Sequence, residues 1–191
     1  MDFNLAYDGE NISEDSGPVT EPVTLQEMKD YLRLEGFQDD DDSPADEFDF
    51  DDTLIETMIQ GAREWVEGKT GCSLVWKRMQ VPITNLSGGI SLPYGPVIGT
   101  VTAVNSCGVE ITSDNIRLVG TKFPVLKLPR QADMVLTYDV GYNILTCPGG
   151  LKDAIKAHVA ACYENRGDEG KADLSLASKL CGPYVKSGMF G

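Results

Sequence analysis

The chain has 191 residues, 41% of them apolar, and a formal net charge of −14. That length supports one sizeable core with a small insertion, not two large domains, and no run of about 18 apolar residues exists to span a membrane. The acidity is local: residues 1–52 hold 18 Asp/Glu against Lys29 and Arg33, giving −16, whereas residues 53–191 hold 12 acids and 14 bases, giving +2. No basic stripe of the kind that grips DNA by counterion release stands out.

The first residues, "MDFNLAYDGENISEDSGP", lack the basic start and apolar centre of a signal peptide, so synthesis in the cytosol is expected. Residues 1–22 read as an acidic, flexible arm. A first helix is expected from "TLQEMKDYLRLEG". Thr24 and Glu27 have capping-box spacing, Leu25, Met28 and Leu32 recur on one face, and Gly36 is placed to end it.

Residues 38–52, "QDDDDSPADEFDFDD", hold nine carboxylates in fifteen positions. A calcium loop of the EF-hand type needs glycine sixth and glutamate twelfth; counting from Asp39, those places hold Pro44 and Phe50. The segment reads as a solvated acidic loop.

A longer helix follows in "DTLIETMIQGAREWVEGKTG". Thr53 and Glu56 again have capping-box spacing, with Asp51 and Asp52 at the positive end of the helix dipole. Leu54, Ile55, Met58, Ile59, Ala62, Trp65 and Val66 make a buried stripe. From 73 to about 142, short β-branched runs alternate with Gly, Pro and Asn. In the last run Met134, Leu136, Tyr138 and Val140 share one side, which predicts half-buried antiparallel sheet in a small sandwich or barrel.

Helix returns at "CPGGLKDAIKAHVAACYENRGDEG", with Pro148 at its opening and a stripe of Leu151, Ala154, Ile155, His158, Val159, Cys162 and Tyr163. Gly167 is placed to stop it. The remainder allows a short helix through Leu174, Ala177 and Leu180, then a Gly/Pro-punctuated extended tail. The fold class expected is therefore α+β. It comprises an antiparallel bundle of three main helices plus a short C-terminal one (23–72 and 146–170), a β-rich insertion (73–145) and a tail (171–191).

His158 is the only histidine, and Cys162 lies four residues on, so they share a helix face. A zinc site needs three or four ligands, and Cys–His catalysis needs a third group that orients the base. Neither is supplied, so the pair reads as core or interface packing. The five cysteines are scattered and odd in number, which argues for free thiols. No P-loop, dinucleotide fingerprint or nucleophile elbow is present.

Five strings in order resemble the head–tail connector (adaptor) proteins of tailed bacteriophages. They are "VTLQEMKDYLRLEG", "DDTLIETMIQGAREWVEGKTGCSL", the proline-flanked "ISLPYGPVIGTVTAV", "VLTYDVGY" leading into "CPGGLKDAIKAHVAACYENRG", and "KLCGPYVKSG". The resemblance covers about residues 22–186. Where the family has Arg after Pro-Tyr, this chain has Val185 followed by Lys186.

The resemblance implies a virion protein at the portal vertex, with no enzymatic activity and no cofactor or metal. Such proteins form a ring, typically a dodecamer, under the portal protein. The ring extends the DNA channel and receives a stopper, tail-completion or tail-tube protein, and double-stranded DNA passes through it without specific binding. It implies a portal-docking tail comprising Leu180, Pro183, Tyr184, Lys186 and Phe190, and helix packing or a subunit interface at Trp65, His158, Cys162, Tyr163, Glu164 and Arg166. Asp39, Asp40, Asp41 and Asp42 would face the lumen or its rim, or else point outward and aid solubility. The competing expectations are a non-virion interaction module, which would remain a stable monomer, and a divalent-metal enzyme, which metal would stabilise.

Overall fold

Thr24 opens the first helix with the bonds its spacing promised. Its hydroxyl accepts the Glu27 amide at 3.2 Å, and the Glu27 carboxylate accepts the Thr24 amide at 2.9 Å, so two orphan donors are satisfied reciprocally. The same Thr24 amide holds the Glu27 carboxyl below the usual value, assisted by Lys156 and Lys152. Helix α1 covers Leu25–Leu32 and closes on Arg33 in the left-handed conformation, φ 57°. Gly36, expected there, lies outside the residues that this computed structural model describes: 13–15, 20–34, 46–83, 89–111, 117–120, 125–127, 133–166 and 171–185.

Helix α2 spans Asp46–Thr70, beginning seven residues before the expected cap. Thr53 is therefore interior, and its carbonyl accepts the Thr57 hydroxyl at 2.8 Å. Acidic residues at a helix start are favoured by the dipole, so the second half of the acidic segment forms helix where a loop was expected. Lys29 pairs with both carboxylate oxygens of Asp52, at 2.6 and 2.7 Å, tying α1 to α2. Helix α3 covers Gly149–Glu164 after Pro148, and α4 covers Ser175–Cys181. A 3-10 turn at Gly182–Tyr184 stands where an extended tail was expected.

These helices belong to one compact unit, Thr20–Thr70 with Asn143–Gly191. Ile55, Ile59, Ala62 and Val66 of α2 are buried, as are Leu151, Ala154, Ile155 and Val159 of α3 and Ala177 and Cys181 of α4. Helices α2 and α3 pack together, and α4 lies on α3. The α+β class holds; the expected three-helix antiparallel bundle is not confirmed. With α1 only eight residues long, the unit is an α2–α3 pair flanked by two short helices.

Arg63 is 5% exposed within it. Its Nε lies 2.9 and 3.1 Å from the Glu21 carboxylate oxygens, and Nη1 lies 3.2 Å from Glu67, which is 4% exposed. A buried guanidinium needs such partners to offset its lost hydration.

The second unit is Met1–Val19 with Gly71–Tyr142. Its strands are β1 (Ser13–Asp15), β2 (Lys77–Ile83), β3 (Gly89–Ser91), β4 (Val97–Asn105), β5 (Glu110–Ile111), β6 (Arg117–Val119), β7 (Val125–Lys127) and β8 (Met134–Val140). They form two antiparallel sheets, ordered β1-β2-β8-β4-β5 and β3-β7-β6. Residues 13–15, expected in a flexible arm, thus pair along the edge of β2, satisfying part of an otherwise open ladder.

Met134, Leu136, Tyr138 and Val140 do share the buried side of β8, in one cluster with Met79, Val81, Val101, Ala103 and Leu126. Tyr138 is 1% exposed, and its hydroxyl donates to the Pro93 carbonyl at 3.1 Å. Past β8, Gly141 adopts φ 118°, and a Cβ there would fall on the Val75 carbonyl.

Two substitutions test these constraints by chemical denaturation. Gly141→Ala should cost roughly 2–4 kcal/mol, combining a disfavoured φ with a backbone overlap. Arg63→Ala should cost about 3–5 kcal/mol, because it takes the guanidinium away from the buried Glu67 carboxylate and breaks the bond to Glu21. A loss within about 0.5 kcal/mol of zero at either position, the range of an ordinary surface change, would contradict the account.

Candidate functional site

On α2, residues 54, 58, 61 and 62 follow the helical repeat along one line; on α3, residues 158, 162 and 166 do the same. Between the lines lies a groove of about 370 Å³ lined by Leu54, Met58, Gly61, Ala62, His158, Cys162 and Arg166. The stripe expected to be buried is therefore partly open. Leu54, Met58 and Trp65 are half-buried, while Ile55, Ile59 and Val66 form the closed side.

One turn beyond Ala62, the Trp65 ring meets the His158 ring at a centroid separation of 5.0 Å and a 48° tilt. Lys69 Nζ stands 5.7 Å from the Trp65 ring centroid. His158 Nδ1 lies 3.7 Å from Cys162 Sγ. Burial favours the neutral ring and holds the His158 pKa below its usual 6.5. The Arg166 guanidinium lies 4.0 Å from the Tyr163 ring centroid, a cation–π distance.

Trp65, His158, Cys162 and Arg166 thus converge, Tyr163 joins through Arg166, and Glu164 is exposed. Sequence reasoning placed Leu54, Met58 and Ala62 in the core and passed over Gly61, whose missing side chain leaves the groove open. The signal was their recurrence at 3 and 4 residues; what recurrence does not reveal is how wide the stripe is relative to its covering partner.

In the tail segment, Leu180 is half-buried on α4 and Pro183 is exposed. Tyr184 lies against its own chain: a Cβ at Gly150 would be 3.1 Å from the ring carbon and from the hydroxyl. Lys186, Phe190 and Asp39–Asp42 lie outside the described residues.

The groove suits contact with an apolar side chain more than bond chemistry. His158 and Cys162 adjoin, yet among the described residues no group of three or more His, Cys, Asp or Glu is placed to hold a metal ion. All five cysteines are free thiols, and no described helix is long and apolar enough to cross a membrane.

A second apolar feature is Leu145, 89% exposed. Its turn is firmly held: Asn143 Oδ1 accepts the Leu145 amide at 2.9 Å and the Thr146 amide at 2.8 Å, while Thr146 Oγ1 accepts the Asn143 amide at 3.0 Å. The backbone of that turn therefore has little conformational freedom left to lose on meeting a partner.

No protein-family model matches the chain, and no curated protein matches it. Solved structures do. A chain in the virion of a native gene transfer agent (GTA) particle is 20% identical, with a TM-score of 0.71 over 95% of this chain and 98% of that one. A chain in the neck of an empty GTA particle, computed with C6 symmetry, is also 20% identical, with a TM-score of 0.69 over 94% and 97%. A third, from the neck of a native GTA particle computed with C12 symmetry, is 18% identical, with a TM-score of 0.58 over 92% and 98%. The likeness is one of fold, and it extends over almost the whole of each chain.

His158 predicts a pH dependence. Below about pH 6.5 the unfolded chain takes up a proton that the folded chain resists. The contribution is full above that value and is lost as pH falls toward the lowered folded-state pKa. Between pH 7 and 5.5 the melting temperature should therefore drop more for the wild type than for His158→Gln. Equal drops in the two proteins would refute a desolvated imidazole. The depressed carboxyls of Glu27, Asp139 and Asp173 titrate well below that window.

Proposed function

We propose that this chain is a structural subunit of the neck of a phage-like particle. Copies form a head–tail adaptor ring that docks beneath the portal protein, extends the DNA channel and receives the stopper or tail components. The observation that carries this reading is the fold likeness to neck and virion chains over at least 92% of each partner. The ordered strings shared with bacteriophage connector proteins support it independently.

The surfaces suit the role. An open α2–α3 groove and an outward Leu145 offer apolar contacts to neighbours, which is how a non-enzymatic assembly protein acts. A body near neutrality with surplus acid at one end would let DNA slide, whereas a basic lining would retain it. On this reading Trp65, His158, Cys162, Tyr163, Glu164 and Arg166 serve subunit packing, residues 39–42 lie at the lumen or rim, and the C-terminal tail reaches the portal.

The tail is tested by truncation. Because Cys181 is buried and Tyr184 packs on Gly150, the cut belongs after Val185. A protein lacking residues 186–191 should keep its far-UV circular dichroism but lose co-sedimentation with the purified portal oligomer. Undiminished docking would remove the tail from the proposal. If the full-length protein also fails to join portal, or to appear as a ring by electron microscopy of the complex, the adaptor reading itself falls.

A further inference from the structure

The surface of the smaller sheet carries a feature that stability alone does not explain. In its ladder Arg117 of β6 stands directly opposite Lys127 of β7, and on the other side of Lys127 stands Gly89 of β3, which has no side chain. Alternation places Arg117 and Lys127 on the exposed side, away from buried Leu126. Like charges directly opposite in an antiparallel pair are destabilising. Among the described residues no carboxylate within ion-pair distance relieves them.

No long basic stripe runs through the chain, but the sequence around this ladder is a short basic run. Residues 115–132 contain Arg117, Lys122, Lys127 and Arg130 and no acid, within a chain of net charge −14. The opposite extreme is residues 38–52, with nine carboxylates and no base.

We infer that this face of the small sheet is a docking site for the acidic segment 38–52 of a second copy of the chain. The inference rests on the ring reading, which brings copies side by side. Charge complementarity selects the occupant: the densest negative run in the sequence matches a cationic pair held at fixed spacing by a ladder. Identical subunits of charge −14 repel one another. A contact that joins the acidic end of one copy to the basic strip of the next offsets that repulsion. It is also heterologous, the type of contact that can propagate around a closed ring.

The experiment uses the full-length chain carrying Asp39→Asn, Asp40→Asn, Asp41→Asn and Asp42→Asn, which weakens competition from the acidic segments of other copies, and a fluorescent peptide of residues 38–52. Anisotropy should show saturable binding that weakens at least about tenfold between about 50 mM and 500 mM NaCl, as screening of exposed charges requires. The further changes Arg117→Glu and Lys127→Glu should abolish it. Absence of binding, or binding indifferent to the reversal, overturns the inference. Circular dichroism checks that the reversed protein folds, and an Arg117→Gln, Lys127→Gln variant should bind with intermediate affinity.

Zero-length carbodiimide cross-linking of mixed light and heavy isotope copies then locates the contact. Links from Lys127 to a carboxylate within 39–52 should appear in mixed-mass pairs; same-copy links alone would overturn the assignment to a neighbour. A short DNA duplex that outcompetes the peptide for the same cations would overturn it in favour of a nucleic-acid contact. If peptide binding and mixed-mass links persist but native mass spectrometry with portal shows no ring, the ring reading fails while this contact stands.

Discussion

A guanidinium withdrawn from water sets the terms for the helical unit. Removing Arg63 from solvent costs several kcal/mol unless carboxylates surround it, and the two nearest arrive from different directions: Glu67 from the next turn of α2, and Glu21 from the segment ahead of α1. The second bond spans 42 residues of sequence. Once Glu21 is held, Pro22 and Val23 are drawn in beside it and buried, and Thr24 is delivered to α1 in the extended conformation that an N-cap needs. The position and start of α1 therefore follow from a charge on another helix. Lys29–Asp52 adds a second tie, but both side chains are partly exposed and the pair contributes less.

The sheet unit is organised by different means. Its cluster is apolar throughout apart from the Tyr138 phenol, which has an acceptor in Pro93. On the outer side of the same strands, Arg78 and Asp139 face each other across β2 and β8 in a two-bond pair, at 2.8 and 3.1 Å. The Arg78 hydrogen bonds hold the Asp139 carboxyl below its ordinary value. The pair is too exposed to stabilise the sheet by more than about 1 kcal/mol. Its geometric effect is larger: a one-residue slip would separate it and turn Met79, Val81 and Leu136 outward.

What could be read without coordinates was what local chemistry decides. The Thr24 box and the alternating burial of β8 depend on residues within a few positions of each other, and both are present. Thr53 had equally good local spacing, yet the helix runs through it, because a row of acids suits a helix start and Lys29 steadies Asp52. Strands β3 and β7 were not anticipated; three residues give no measurable alternation, and their pairing partners are remote. The Arg63–Glu21 bond left no sequence signal either, since nothing in a 42-residue separation marks two charges as neighbours. Across the two stripes the Trp65 and His158 rings meet, and Cys162 adjoins His158. The stripes overstated the depth of burial, because periodicity identifies a face but not how much of it a partner covers.

That incomplete coverage bears on how such a chain would assemble. A subunit with an open apolar groove and an outward leucine risks associating at random. A charge of −14 opposes this, because every encounter between copies begins with repulsion. At physiological salt that repulsion fades beyond about 8 Å, so it penalises loose contacts more uniformly than it penalises one well-matched orientation. On the proposed reading, apolar contacts supply the affinity of the ring and charge supplies its selectivity. On the same reading, a template that presented subunits in the right orientation would lower the remaining barrier.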